Sequence, residues 1–119
     1  MIKKNKVLAS VLATLMSLST IGGLSANAAS KYEYESGNVF VDAWEKTKSY
    51  DNGNEKLKYG YDTWCQKEDY CKSYVKNTAQ TAKVTAGSLS ETASGSAGSW
   101  SWKADVAHQS GTIYWYVMW

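Results

Sequence analysis

Hydrophobic and polar residues alternate through much of the chain beyond residue 30, with the period of two that marks a strand having one buried face. Lys31-Tyr32-Glu33-Tyr34-Glu35 alternates aromatic with charged residues and reads as an exposed or edge strand. Val39-Phe40-Val41 is a second short candidate, and Trp44 follows in a more polar stretch. Asp51-Asn52-Gly53-Asn54 is the strongest turn signal, because Asn and Gly tolerate positive φ at little cost. Leu57, Tyr59 and Tyr61 leave that turn alternating with Lys56, Lys58 and Gly60. Tyr70 to Val75 alternates again, and Thr78 to Val84 is small and β-branched. Thr85 to Ser99 is Ser/Gly/Ala/Thr-rich, with Leu89 its only large apolar residue, and reads as a long surface loop or a connector between sheets.

The last twenty residues carry the strongest apolar pattern. Trp100, Trp102, Ala104 and Val106 share one face of a predicted strand, with Ser101, Lys103 and Asp105 on the other. From Thr112 onward both faces are apolar, Ile113, Trp115, Val117 and Trp119 opposing Tyr114, Tyr116 and Met118, so this strand should lie inside a sheet. Gln109-Ser110-Gly111 between them has hairpin length, and the pair reads as a core hairpin. No stretch beyond residue 28 has a helical period. The predicted fold is all-β, a small two-sheet antiparallel β-sandwich of six to seven short strands.

Residues 1–28 fall outside that pattern. Lys3, Lys4 and Lys6 precede an apolar run from Val7 to Leu18, and Ala26-Asn27-Ala28 has the small-x-small form of a cleavage site. This is the layout of a secretory signal peptide cut after Ala28, too short in its apolar run for a stable membrane span. The expected product is a secreted, extracellular single domain, residues 29–119.

Cleavage changes the charge. The whole chain has a net charge of +2, but without its three N-terminal lysines it holds 10 Lys against 11 acids and no Arg. Net charge therefore gives no support to nucleic-acid binding. Cys65 and Cys71 enclose five residues, and in an exported protein a disulfide is the simplest expectation. Closing so short a loop would contribute about 2.4 kcal/mol by chain entropy. A zinc site would need unusual partners, since His108 is the single histidine, and a redox pair is more often spaced C-x-x-C.

No constellation for catalysis is visible. A serine nucleophile would have His108 alone as its base, the carboxylate pairs Glu33/Glu35 and Glu68/Asp69 read as solvated, and no phosphate loop or metal motif occurs. The expectation is a protein that is not an enzyme and needs no cofactor or metal. Six Trp and nine Tyr, in contrast, exceed what one small interior can hide, and Trp or Tyr left at a surface suits glycans, protein partners and membrane interfaces. Trp100, Trp102, Tyr59 and Tyr61 are the candidate target-binding residues.

Several of these segments resemble the lactococcin 972 family of bacteriocins, small secreted antibacterial proteins of Gram-positive bacteria. Ser99-Trp100-Ser101-Trp102-Lys103-Ala104 and the run Gly111 to Trp119 are similar to that family's Trp/Lys/Ala strand and closing aromatic run. Tyr59-Gly60-Tyr61 is similar to its Gly-Tyr-Gly region, and Tyr70 to Asn77 to its Lys-x-His-Ser-x-x-Val strand. The chain departs from the pattern in lacking the strand histidine and in carrying two cysteines. The resemblance implies a two-sheet β-sandwich. It also implies a bacteriocin that inhibits related Gram-positive cells by binding the cell-wall precursor lipid II and blocking septum formation. The alternatives are a non-toxic module that binds wall polymer or glycan, and a secreted protein-binding inhibitor.

Overall fold

In the computed structural model, which describes residues 29–119, eight strands form two antiparallel four-stranded sheets packed as a sandwich. The strands are β1 (Ser30–Glu35), β2 (Trp44–Tyr50), β3 (Glu55–Asp62), β4 (Glu68–Val75), β5 (Gln80–Ala86), β6 (Leu89–Gly95), β7 (Ala104–Ala107) and β8 (Ile113–Met118). One sheet has the order β1-β8-β5-β6 and the other β2-β3-β4-β7. The predicted signal peptide lies outside the described residues. Among the described residues, no helix is long and apolar enough to cross a membrane.

The doubly apolar strand is where its pattern places it. β8 lies between β1 and β5, with Ile113, Trp115 and Val117 fully buried. Ala82, Val84 and Ala86 of β5 join them from the same sheet, and Leu57, Tyr59, Cys71 and Val75 meet them from the other. Trp115 is the centre of an aromatic cluster, its ring 5.0 Å from Tyr59, 5.7 Å from Trp44 and 6.4 Å from Phe40. Such wide side chains let a short chain bury enough area to fold.

Several expected elements are placed differently. Trp100–Trp119 is not a hairpin: β7 pairs with β4 and β8 with β1 and β5, so the 109–111 connection carries the chain from one sheet to the other. The supposed loop after Thr85 is a hairpin, β5 turning at Gly87-Ser88 into β6, with Gly87 at φ 60°. Val39-Phe40-Val41 forms no strand; a single 3-10 turn spans Gly37–Val39, and Phe40 instead plugs one end of the sandwich against Tyr61 and His108. The polar stretch from Trp44 is β2. The Asp51–Asn54 turn is as read, with positive φ at Asp51, Asn52 and Gly53, joining β2 to β3.

Carboxylates join the two sheets along their open edges. From β1, Glu33 accepts a hydrogen bond from the Tyr50 hydroxyl of β2 at 2.7 Å, and Glu35 pairs with Lys46 at 3.1 Å. On the opposite edge, the Asp105 amide of β7 donates to Glu91 of β6 at 3.3 Å.

Candidate functional site

The four predicted target-binding residues separate into two groups. Tyr59 and Tyr61 are buried, at 5% and 1% exposure, on the inward phase of β3, so no macromolecular target reaches them. Their alternation with Lys56 and Lys58 is as read, but the lysines face out. Trp100 and Trp102 are at the surface, 37% and 80% exposed.

A buried polar cluster sets these two tryptophans. The Ser101 hydroxyl accepts a hydrogen bond from the Ser73 amide at 2.9 Å and donates to the Trp102 carbonyl, while the Ser101 amide donates to the Ser73 carbonyl at 2.8 Å. Gln80, fully buried, donates from its side-chain amide to the carbonyls of Ser73 and Ser99. Gly95 leaves the room for it, since a Cβ there would lie 2.3 Å from that amide nitrogen. With Ser101 drawn inward, its neighbours turn out. Alternation then slips before β7, where Ala104 is buried, so Trp100, Trp102 and Ala104 do not share a face.

Trp100 thereby lies on the outer face of the β2-β3-β4-β7 sheet. Its ring is 5.7 Å from Tyr74 and lies beneath the Lys58 ammonium at 4.8 Å. Lys56 lies over Tyr74 at 5.1 Å and Lys103 over Tyr70 at 5.6 Å. Each is a cation–π arrangement. Tyr70 crosses the sheet to donate to Glu45 at 2.8 Å, and partial burial followed by that carboxylate raises its pKa. Gly60 makes the crossing possible: a Cβ would meet the Trp44 carbonyl at 2.3 Å and the Tyr70 hydroxyl at 2.8 Å. Lys56, Lys58, Lys72, Tyr70 and Tyr74 were not among the expected site residues. The alternation of β3 and β4 places each of them on one face, but it does not say which face is outside.

The outer face of the other sheet has a different surface. Tyr32 and Tyr34 of β1 and Tyr114 and Tyr116 of β8 form a patch with ring centroids 5.7 to 6.4 Å apart. Lys83, its pKa lowered by burial, lies 5.6 Å over Tyr116, whose own pKa burial pushes up to about 12. Thr85 and Ser90 continue the row of Tyr34 and Tyr114, and Thr92 that of Tyr32 and Tyr116.

The expected disulfide is absent. Cys65 is exposed and Cys71 buried, and both are free. The β3–β4 ladder closes at Asp62 opposite Glu68, which puts Cys65 in the connecting loop, whereas Cys71 lies farther along β4 opposite Tyr59 and points inward. The pairing partner of Cys71 is thus six residues before Cys65. The Cys71 thiol approaches the Lys83 carbonyl at 3.3 Å, and burial raises its pKa.

His108 follows β7 and bonds the fully buried Asp69 through Nδ1 at 2.9 Å, with Phe40 at 4.5 Å and Tyr61 at 5.0 Å. Burial raises the Asp69 pKa, against the opposing pull of His108. The histidine at the end of this strand thus has a buried carboxylate as its partner. Among the described residues, no group of three or more His, Cys, Asp or Glu is placed to hold a metal ion.

No protein-family model, curated protein or solved structure matches the chain. The lactococcin 972 resemblance therefore stands on the quoted motifs alone.

Proposed function

We propose that this is a secreted antibacterial protein of the lactococcin 972 type that docks non-catalytically on related Gram-positive bacteria. The observation that carries the reading is the position of Trp100 and Trp102. The segment most similar to that family presents two tryptophans to solvent, at the margin of a lysine-bearing face, although a small domain gains stability by burying such rings. Binding of lipid II and arrest of septum formation are what the resemblance adds for the target and its consequence. The test is growth of related strains exposed to purified protein. Growth should slow without release of soluble sugar or peptide from purified walls; unimpeded growth, or wall hydrolysis, would overturn the proposal.

A second reading is favoured by the opposite face. Four tyrosines beside Thr85, Ser90 and Thr92 present rings and hydroxyls suited to sugar. On that reading the protein is a non-toxic module binding glycan or wall polymer. It predicts retention on purified walls that survives Trp100→Ala and is lost with Tyr32→Ala and Tyr34→Ala.

A further inference from the structure

Lys58 and Lys72 are directly opposite partners in the β3–β4 ladder. Like charges so placed weaken a sheet, and a carboxylate at either position would remove the repulsion. Lys56, two residues from Lys58, shares the same outer face opposite Tyr74. Among the described residues, none of Lys56, Lys58, Lys72 and Lys103 takes part in an ion pair. The acids of this face lie toward its other end: Asp62 opposite Glu68, Glu45 held by Tyr70, and Asp105 in the Tyr70 row. A domain with nearly balanced charge thus concentrates three uncompensated ammonium groups beside two aromatic rings.

We propose that the Lys56–Lys58–Lys72 end of this face binds a linear phosphodiester polymer of the bacterial wall. The lysines take successive phosphates, and Trp100 and Tyr74 cover the apolar stretches between them. Lysine binds phosphate as a point charge with three rotatable donors, which suits a flexible chain of anions without fixed geometry. Nucleic acid offers the same diester, but the wall polymer is the one within reach of an exported protein. The inference rests in that respect on the wall-directed reading above.

The experiment titrates the intact secreted protein with purified poly(glycerol phosphate) teichoic acid over a series of salt concentrations. Affinity should fall linearly in log–log form as salt rises. Lys58→Thr with Lys72→Thr should weaken binding roughly ten-fold or more at low salt and flatten the salt slope by about one to two. Its melting temperature should stay close to the parent's, because the repulsion removed offsets the lost contact of Lys58 with Trp100. Tyr34→Ala, on the opposite outer face, should bind as the parent does. If the double variant does not fold, each single lysine variant carries the same test with a smaller loss.

Absence of teichoic acid binding by the parent, or binding that both lysine changes leave intact, would overturn the inference. So would tighter lysine-dependent binding to a thymidine oligonucleotide or to phosphatidylglycerol vesicles, which would make the partner a nucleic acid or a membrane. Growth inhibition is measured in parallel. A protein that kills without binding the polymer refutes this inference alone; one that binds the polymer without killing refutes only the antibacterial reading.

Discussion

The two outer faces of the sandwich use the same aromatic residues in opposite ways. On the β1-β8-β5-β6 face, Tyr32, Tyr34, Tyr114 and Tyr116 lie against one another, one lysine lies over them, and the register puts no carboxylate among them. The acids of that sheet, Glu33, Glu35 and Glu91, occupy the opposite phase and reach the other sheet. On the β2-β3-β4-β7 face, Trp100, Tyr74 and Tyr70 each lie under a separate lysine, and Lys56, Lys58 and Lys72 gather at the end away from Asp62 and Glu68. The first arrangement largely satisfies itself. The second leaves lysines without an ion-pair partner and two of them in mutual repulsion, so it has a binding potential that folding does not consume.

Four substitutions and a labelling experiment probe that contrast. The largest effect belongs to neither face. Trp115→Ala, in the core both sheets share, should cost about 3–5 kcal/mol and largely unfold the domain in a thermal melt. Gly60→Ala should cost about 1–3 kcal/mol, since the added methyl collides with the Trp44 carbonyl and with Tyr70; a parent-like melt would mean that β2 and Tyr70 shift freely. Trp100→Ala should cost about 1–2 kcal/mol, well short of Trp115→Ala, while abolishing growth inhibition, because over a third of the residue is already in solvent and its loss leaves no internal cavity. Cys65→Ser should lie within about 0.5 kcal/mol of the parent. Correspondingly, one thiol of the native protein should react rapidly with an alkylating agent and the second only on unfolding, followed by mass; two unreactive thiols two hydrogens lighter would restore the bridge.

What was legible in the sequence follows from where each strand's information resides. β8 lies between two strands, and its buried phase of Ile113, Trp115 and Val117 is read directly from its pattern, whereas its outward Tyr114 and Tyr116 join the surface patch of tyrosines. β3 reads well because Leu57, Tyr59 and Tyr61 alternate with lysine. β2 and β6 are edge strands, held by backbone pairing to β3 and β5, so Glu45 to Ser49 and Ser90 to Ser94 carry little apolar signal. The Gly87-Ser88 pair between Ala86 and Leu89 is a two-residue turn signature that marked the β5–β6 hairpin despite its composition.

The site was half legible. Trp100 and Trp102 are exposed, but not for the reason their alternation suggested. Ser101, a small polar residue, is the one drawn inward by hydrogen bonds to Ser73, and hydropathy does not register that kind of burial. Tyr59 and Tyr61 in β3 face in, whereas Tyr70 and Tyr74 in β4 face out with Lys72, because inward-pointing Cys71, Ser73 and Val75 leave room for the β3 rings. Tyrosine suits either side of a sheet, so its register decides. The Lys58–Lys72 juxtaposition exists only once β3 and β4 are paired.

On the proposed reading, the lysine-and-tryptophan face meets the target and the tyrosine face does not. The most direct measurement compares two double variants, Trp100→Ala with Trp102→Ala and Tyr32→Ala with Tyr34→Ala, each with a melting curve and a growth-inhibition titration against one susceptible strain. Both should still melt cooperatively and well above the assay temperature, with inhibition lost in the tryptophan variant and kept in the tyrosine variant. Inhibition kept in the tryptophan variant and lost in a folded tyrosine variant would move the site to the opposite face.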